Sequence, residues 1–403
     1  MKHPMRWAGA YALVAAMLAS VFAAAIMTGP YRAVQRSDYM TYQTAALIAV
    51  EGRGDCLYSA TCQAAVQHDL IGDEPSFESG PLPFTSPPWL AAVVAPLARA
   101  PLDVGFALFG LASVLLLAVA VWRLAWGGAG TRLVATSLVL SAWPTALGAI
   151  RGQSTLAVAA LLGLSASASL AQAGGRAGAL RGALTGLAAL KPTLLPLWLA
   201  RLAAERRWRD LGIAVTVAAG LALLAVLVVS PRAVADYPRY LFDLAGATNA
   251  PGIHVEQMIN WRGAALRIGA GPAVGWIGIG LTVVAVTIGW WWARRSPRAS
   301  ALGAATAFVA TPLVIPHANQ HEAILAALGL LIAIAAVDEL RVRLAAPAIG
   351  LQAALWSGPL LSGEASGWLL FISLLAAVLV MLWLSWRERA RYFSPVLVRA
   401  GTD

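Results

Sequence analysis

The chain has 403 residues, 59% of them hydrophobic and only 12% charged, with a mean hydropathy of +0.72. These values exclude a water-soluble globular fold and leave a polytopic membrane protein. The formal net charge of +10 does not point to nucleic acid, because the arginines gather between apolar runs and not along one basic face.

In chain order the apolar runs fall at 7–27, 86–98, 103–122, 133–149, 153–172, 178–199, 210–229, 274–293, 299–316, 320–336, 345–361 and 366–386. Most approach the ~20 residues that a helix needs to cross lipid. They are too long and too evenly apolar for barrel strands, so the expected fold is an all-α bundle of about twelve transmembrane helices, one integral-membrane domain over 1–403. Lys2 and Arg6 precede the first run, which fits a retained anchor; cleavage near Ala23-Ala24-Ala25 would leave an odd number of spans. With both termini inside, the arginine groups at 201–209, 294–298, 341–343 and 387–391 are cytoplasmic. Arg123 and Arg132 then fall outside, which leaves the pairing of helices 2 to 5 open.

Two long polar connections, 28–85 and 231–273, both land on the outer side of this topology, so function is expected there. Tyr39, Tyr42, Ala46, Ala49 and Val50 recur at helical spacing ahead of Gly52, which predicts an amphipathic helix over 39–51 at the membrane surface. Cys56 and Cys62 in the same loop are either a local disulfide or two thiols.

Asp38 stands just before that helix, as its N-cap or as a catalytic carboxylate. Lys191 is one of only two lysines and lies within an apolar run beside Pro192. An ionisable group there costs at least ~2.5 kcal/mol on insertion scales, so it serves a partner or a task unless it snorkels to the interface. Arg151-Gly152-Gln153 makes a polar break between two runs. His317, Asn319, Gln320, His321 and Glu322 form a late outer turn; the spacing is not HExxH and no cysteine cluster completes it, so no metal site is assigned. Instead an imidazole there could bond an anionic ligand. The second outer loop adds His254, Glu256, Gln257, Asn260 and Arg262, the last able to grip a phosphate or sit among lipid headgroups. One outer carboxylate, several cations and no phosphate-cradling glycine loop suit transfer from a lipid-linked phosphate donor.

Asp38 with the following "YMTYQTAALIAVEGRGDCLY", then "LPFTSPPWLAAVVAPLA", "GQSTLAVAALLGLS", "LAALKPTLLPLWL" and "MINWRGAAL" in that order resembles the motif series of glycosyltransferase family 87, the polyprenyl-phosphate-mannose-dependent mannosyltransferases. Ser86 departs from the family's tyrosine before Pro87-Pro88, and the cysteine pair is not a family feature. The resemblance implies a C-type (GT-C) membrane fold with Asp38 as catalytic base, and Lys191 and His321 or His317 on the donor phosphate. Arg151 and Arg262 are further phosphate candidates, while Tyr42, Asn260 and Gln320 are candidate acceptor or loop contacts. The implied enzyme is an inverting hexosyltransferase of the plasma membrane. It would move a sugar, mannose first, from a polyprenyl-phosphate carrier to a lipid or glycan acceptor on the extracytoplasmic face, without a cofactor. The rival classes are a secondary transporter or lipid flippase, against which no inverted repeat is visible, and a non-catalytic envelope scaffold.

Overall fold

The computed structural model describes residues 32–72, 81–170, 175–246, 255–293, 297–336, 351, 354–355, 361 and 363–399. The first apolar run, most of the run at 345–361, and His254 lie outside the described residues. Every regular element among the described residues is helical.

Four helices are long and apolar enough to cross a bilayer unaided: Leu102–Leu124, Trp208–Val228, Pro272–Trp292 and Gly363–Arg387. Ala129–Leu140 and Trp143–Ile150 add a fifth span if their 56° bend is taken as one crossing. Other expected runs form shorter apolar helices, among them Thr155–Ala168 and Ser300–Val314, so the described residues hold four or five spans of full length. Proline is a main physical reason. The run at 178–199 breaks after Gly175–Leu187 into the 3-10 turns Ala188–Leu190 and Pro192–Leu194 before resuming as Pro196–Ala204. Pro192 and Pro196 bring no N–H to an α-helical ladder, and Lys191 between the turns adopts φ −134°, ψ 81°. Its ammonium therefore starts from a kink and not from a helix side. Some topology-marking arginines are also structural: Arg201 and Arg207 both pair with Glu205, at 2.8 and 2.9 Å.

The Asp38–Val50 helix is capped by Ser37, whose hydroxyl oxygen accepts from the Met40 N–H at 3.4 Å. Asp38 is thus the first helical residue and not the cap. The helix is also not the surface element expected: every residue from Tyr39 to Ala46 is buried, as are Ile48 and Ala49. Tyr39 packs on Phe106 and Phe109, with ring centroids 6.1 and 5.5 Å away. The Gln43 amide donates to the carbonyls of Ala98 and Ala100 at 3.1 and 2.7 Å. A clearly two-faced helix occurs instead at Pro231–Gly246, where Arg232, Asp236, Arg239 and Asp243 are exposed while Ala233 and Tyr237 are buried. That division follows from charges placed three and four residues apart.

Two apolar cores result. One gathers Tyr42, Phe84, Leu90 and Phe106 around the Asp38–Val50 helix; the other gathers Leu162, Trp198, Phe308 and Leu328 among the later helices. Thermal unfolding in detergent tests the cap. Ser37→Ala lowers stability by about 0.5–1 kcal/mol, the usual loss for a missing cap, whereas Asp38→Asn does not lower it.

Candidate active site

Between the two cores lies a cavity of about 170 Å³, walled by residues of both. Asp38, Thr41 and Tyr42 enter it from one side, Gln153 and Lys191 from the breaks in the helical runs, and His317, Asn319, His321 and Glu322 from the late turn. Leu82, Pro83 and Pro87 form a further wall. The Ala60–Ile71 helix holds this wall: Gln63 accepts from the Phe84 N–H at 2.7 Å, and Gln67 donates to the Leu82 carbonyl at 2.7 Å. At the start of that helix the structure has Cys56 bonded to Cys62.

Asp38 is clamped by the turn 151–153. Its N–H donates to the Arg151 carbonyl at 2.8 Å, and the Gln153 side-chain Nε2 donates to its Oδ2. Gly152 makes the approach feasible: its φ is +62°, and a Cβ there would stand 2.6 Å from Cβ of Tyr39. Any side chain at 152 would push the clamp off the carboxylate.

Opposite Asp38 a second carboxylate organises the cations. Glu322 Oε1 receives Lys191 Nζ at 2.6 Å, His321 Nε2 at 2.8 Å and the Thr155 hydroxyl at 3.3 Å, while Oε2 receives the Asn319 N–H at 2.8 Å. The last bond is half of a capping box on the turn Gln320–Ala323. The Glu322 side chain is 3% exposed. Burial alone would raise its pKa, but the charges of His321 and Lys191 and their hydrogen bonds outweigh that and hold it below the ordinary range. Lys191 also reaches Thr155 Oγ1 at 2.7 Å and Gln153 Oε1 at 3.4 Å, so each of its three N–H groups has an acceptor.

Asp38 shows the reverse balance. Burial raises its pKa above the ordinary aspartate value of 3.8, against the lowering pull of His321, Arg151, Lys191 and the Gln153 hydrogen bond. His321 gives Nε2 to Glu322, and its buried Nδ1 has no hydrogen-bond partner among the described residues. His317 differs from it. Its Nε2 donates to the Leu244 carbonyl at 2.7 Å, and Arg262 Nη1 sits against the ring, 3.0 Å from Nε2 and 3.3 Å from Nδ1. Burial, with the Arg262 charge adding to it, lowers the His317 pKa to about 4, so this imidazole is neutral at pH 7.

Of the residues expected from sequence, Asp38, Tyr42, Lys191, His317 and His321 share the cavity. Arg151, Arg262, Asn260 and Gln320 are not among its lining residues. Arg151 donates to Gln257 at 3.4 Å; Arg262 is turned onto His317; Gln320 accepts from Trp143 Nε1 at 2.9 Å. Asn260 caps the Trp261–Arg267 helix through Gly263 and donates to the Ile315 carbonyl, each at 2.6 Å. Of these, Arg262 and Asn260 bond to residues that line the cavity, His317 and Ile315. Sequence reasoning gave no site role to Gln153, Thr155 or Glu322. A signal for the first two was the polar "RGQST" break, and for Glu322 the rule that an ammonium within an apolar run needs an anion to pair with. Among the described residues no three His, Cys, Asp or Glu side chains gather as a metal-ligand group.

The family model of glycosyltransferase family 87 matches residues 84–316. No curated protein and no solved structure matches the chain.

The Lys191–Glu322 pair yields a stability test. Lys191→Met leaves Glu322 short of a buried partner and costs about 3–5 kcal/mol, while the double variant Lys191→Met/Glu322→Gln recovers most of that loss. A double-mutant cycle on thermal midpoints in nanodiscs measures it, and strictly additive losses would mean that the pair is not coupled.

Proposed function

The chain belongs to glycosyltransferase family 87, and on that premise we propose that it moves a sugar, mannose first, from polyprenyl phosphate to a hydroxyl of a lipid or glycan acceptor. The transfer inverts the anomeric carbon and takes place at the extracytoplasmic face of the plasma membrane. The observation that carries this reading is one cavity in which an uncapped carboxylate, Asp38, stands with Lys191 and His321.

The bond from the acceptor oxygen to C1 forms as the C1–O bond to phosphate breaks. The hydroxyl proton passes to Asp38, and the polyprenyl phosphate leaves with the electron pair. The phosphate monoester released from the diester donor departs without a general acid, so one carboxylate is enough, whereas a glycosidase expelling an alkoxide needs two. Negative charge growing on the phosphate is met by groups already in place. His321 offers Nδ1, which has no partner among the described residues. Lys191 acts chiefly through its charge, because its donors are engaged by Glu322, Thr155 and Gln153. Neutral His317 fits a hydrogen-bonding role better than that of a counter-charge. The apolar remainder of the wall, Leu82, Leu241, Leu244 and Ile315, suits the first isoprene units of a carrier. Neither metal nor cofactor enters the scheme. Mannose, the prenyl carrier and the outer face rest on the family likeness.

Two measurements follow. In membrane vesicles supplied with radiolabelled polyprenyl-phosphate mannose, Asp38→Asn lowers transfer by about 10²–10⁴-fold, the usual share of a general base; near-normal transfer removes Asp38 from that role. The wild-type rate also depends on pH through this carboxyl. Because only the ionised form accepts a proton and burial raises its pKa, the rate falls on acidification at a pH above the ordinary 3.8. An acid limb at or below that value contradicts the assignment.

A further inference from the structure

The hydrogen bond from Gln153 to Asp38 has a direction, and Lys191 sets it. A side-chain amide can present either its oxygen or its NH₂ to a neighbour, and the two ends are told apart by the bonds they make. Lys191 Nζ carries donors only, and it lies 3.4 Å from the Gln153 oxygen. With Oε1 committed to the ammonium, Nε2 is left to point at Asp38 Oδ2. The reversed amide would set NH₂ against an ammonium and a carbonyl against a carboxylate, two repulsive contacts in place of two attractive ones.

The backbone favours the same register. Gln153 follows Gly152 in the turn that accepts the Asp38 N–H, so one short segment holds both the main chain and one carboxylate oxygen of the base. The Gln153 N–H is itself tied to the Gly148 carbonyl at 2.8 Å, which fixes the turn to the preceding helix. The charged or titratable groups near Asp38 are Arg151 from that turn, Lys191 from the helix break, His321 and Glu322 from the late turn, and Tyr42 from its own helix; His317 and Tyr237 line the same cavity. Among the described residues only Gln153 donates a side-chain hydrogen bond to Asp38.

We propose that Gln153 is a positioning residue for the transfer: its amide, oriented by Lys191, holds Oδ2 of Asp38 and leaves Oδ1 as the oxygen that takes the acceptor's proton. This rests on the reading of Asp38 as base. It also links the two halves of the cavity, since Lys191, which faces the departing phosphate, sets the aim of the group that faces the incoming hydroxyl. The link is a chain of three side chains: ammonium, amide and carboxylate.

The test compares wild type with Gln153→Leu, which removes both ends of the amide, and with the near-isosteric Gln153→Glu, which keeps the shape but puts oxygen where Nε2 donates. Each protein, eluting as the wild type in detergent, is treated across a pH series with dicyclohexylcarbodiimide, which labels protonated carboxyl groups, and labelling of Asp38 is read by peptide mass spectrometry. Loss of the donor moves the Asp38 labelling midpoint up by about one pH unit in both variants. In the vesicle assay the same variants lose about 10-fold or more in kcat with donor KM within twofold, as misalignment of a base rather than loss of binding requires. An unmoved midpoint in both variants overturns the role of Gln153, as does a raised donor KM with kcat intact. Those failures differ from failure of the base itself, which shows as transfer surviving Asp38→Asn. The labelling arm needs no substrate, so it holds whichever sugar is transferred.

Discussion

An ionised carboxylate cannot stay buried alone, and the site is arranged around that constraint. Glu322, 3% exposed, is charged because Lys191 and His321 are held against one of its oxygens. Lys191 comes from 131 residues away in sequence, from a helical run that Pro192 has broken. Without the break the ammonium would emerge from the side of a continuous helix. Without Glu322 it would lose the carboxylate that pairs with it directly and offsets its desolvation. The proline kink, the capping box at Asn319 and the Thr155 hydroxyl all serve to complete one buried cluster of charge.

The cavity then holds two carboxylates in opposite conditions. Glu322 is pulled toward the ionised form by direct ion pairs, whereas Asp38 keeps a raised pKa because burial exceeds the help it receives from more distant cations and one amide. Two acids with pKa values pushed apart by their surroundings are suited to different tasks. The acid locked in ion pairs holds cations in place. The one held by a single amide and by no direct ion pair remains able to take a proton, which is what transfer to an alcohol asks of it. The division also explains why a cationic side chain can sit near Asp38 without pairing with it: Glu322 already occupies Lys191.

Much of this was legible in the sequence because rarity carries information. A lysine beside proline in an apolar run, an acid just ahead of a helix in the first outer loop and two histidines in a late turn stood out from alanine and leucine, and Asp38, Lys191 and His321 do share the cavity. What could not be read were pairings between distant segments. Glu322 looked like an ordinary polar residue of an aqueous turn, and Gln153 like part of a loop, since nothing local indicates that each faces Lys191. The Asp38–Val50 helix misled for a related reason. The spacing of Tyr39, Tyr42, Ala46, Ala49 and Val50 predicted one apolar face, yet Gln43 and Thr44, off that stripe, are buried too and bond to backbone carbonyls inside the protein. The apolar runs gave the class of fold correctly as helical, but hydropathy does not register where proline and glycine divide a run into shorter pieces.

The central claim is that a single carboxylate drives one direct displacement at the anomeric carbon. The most direct measurement is the configuration of the product linkage, read from the one-bond carbon–hydrogen coupling of a 13C-labelled sugar supplied on a carrier of known anomeric form. The account predicts the opposite anomer in the first product formed. A product with the donor's own configuration would mean two successive displacements through a glycosyl-enzyme, and would contradict it.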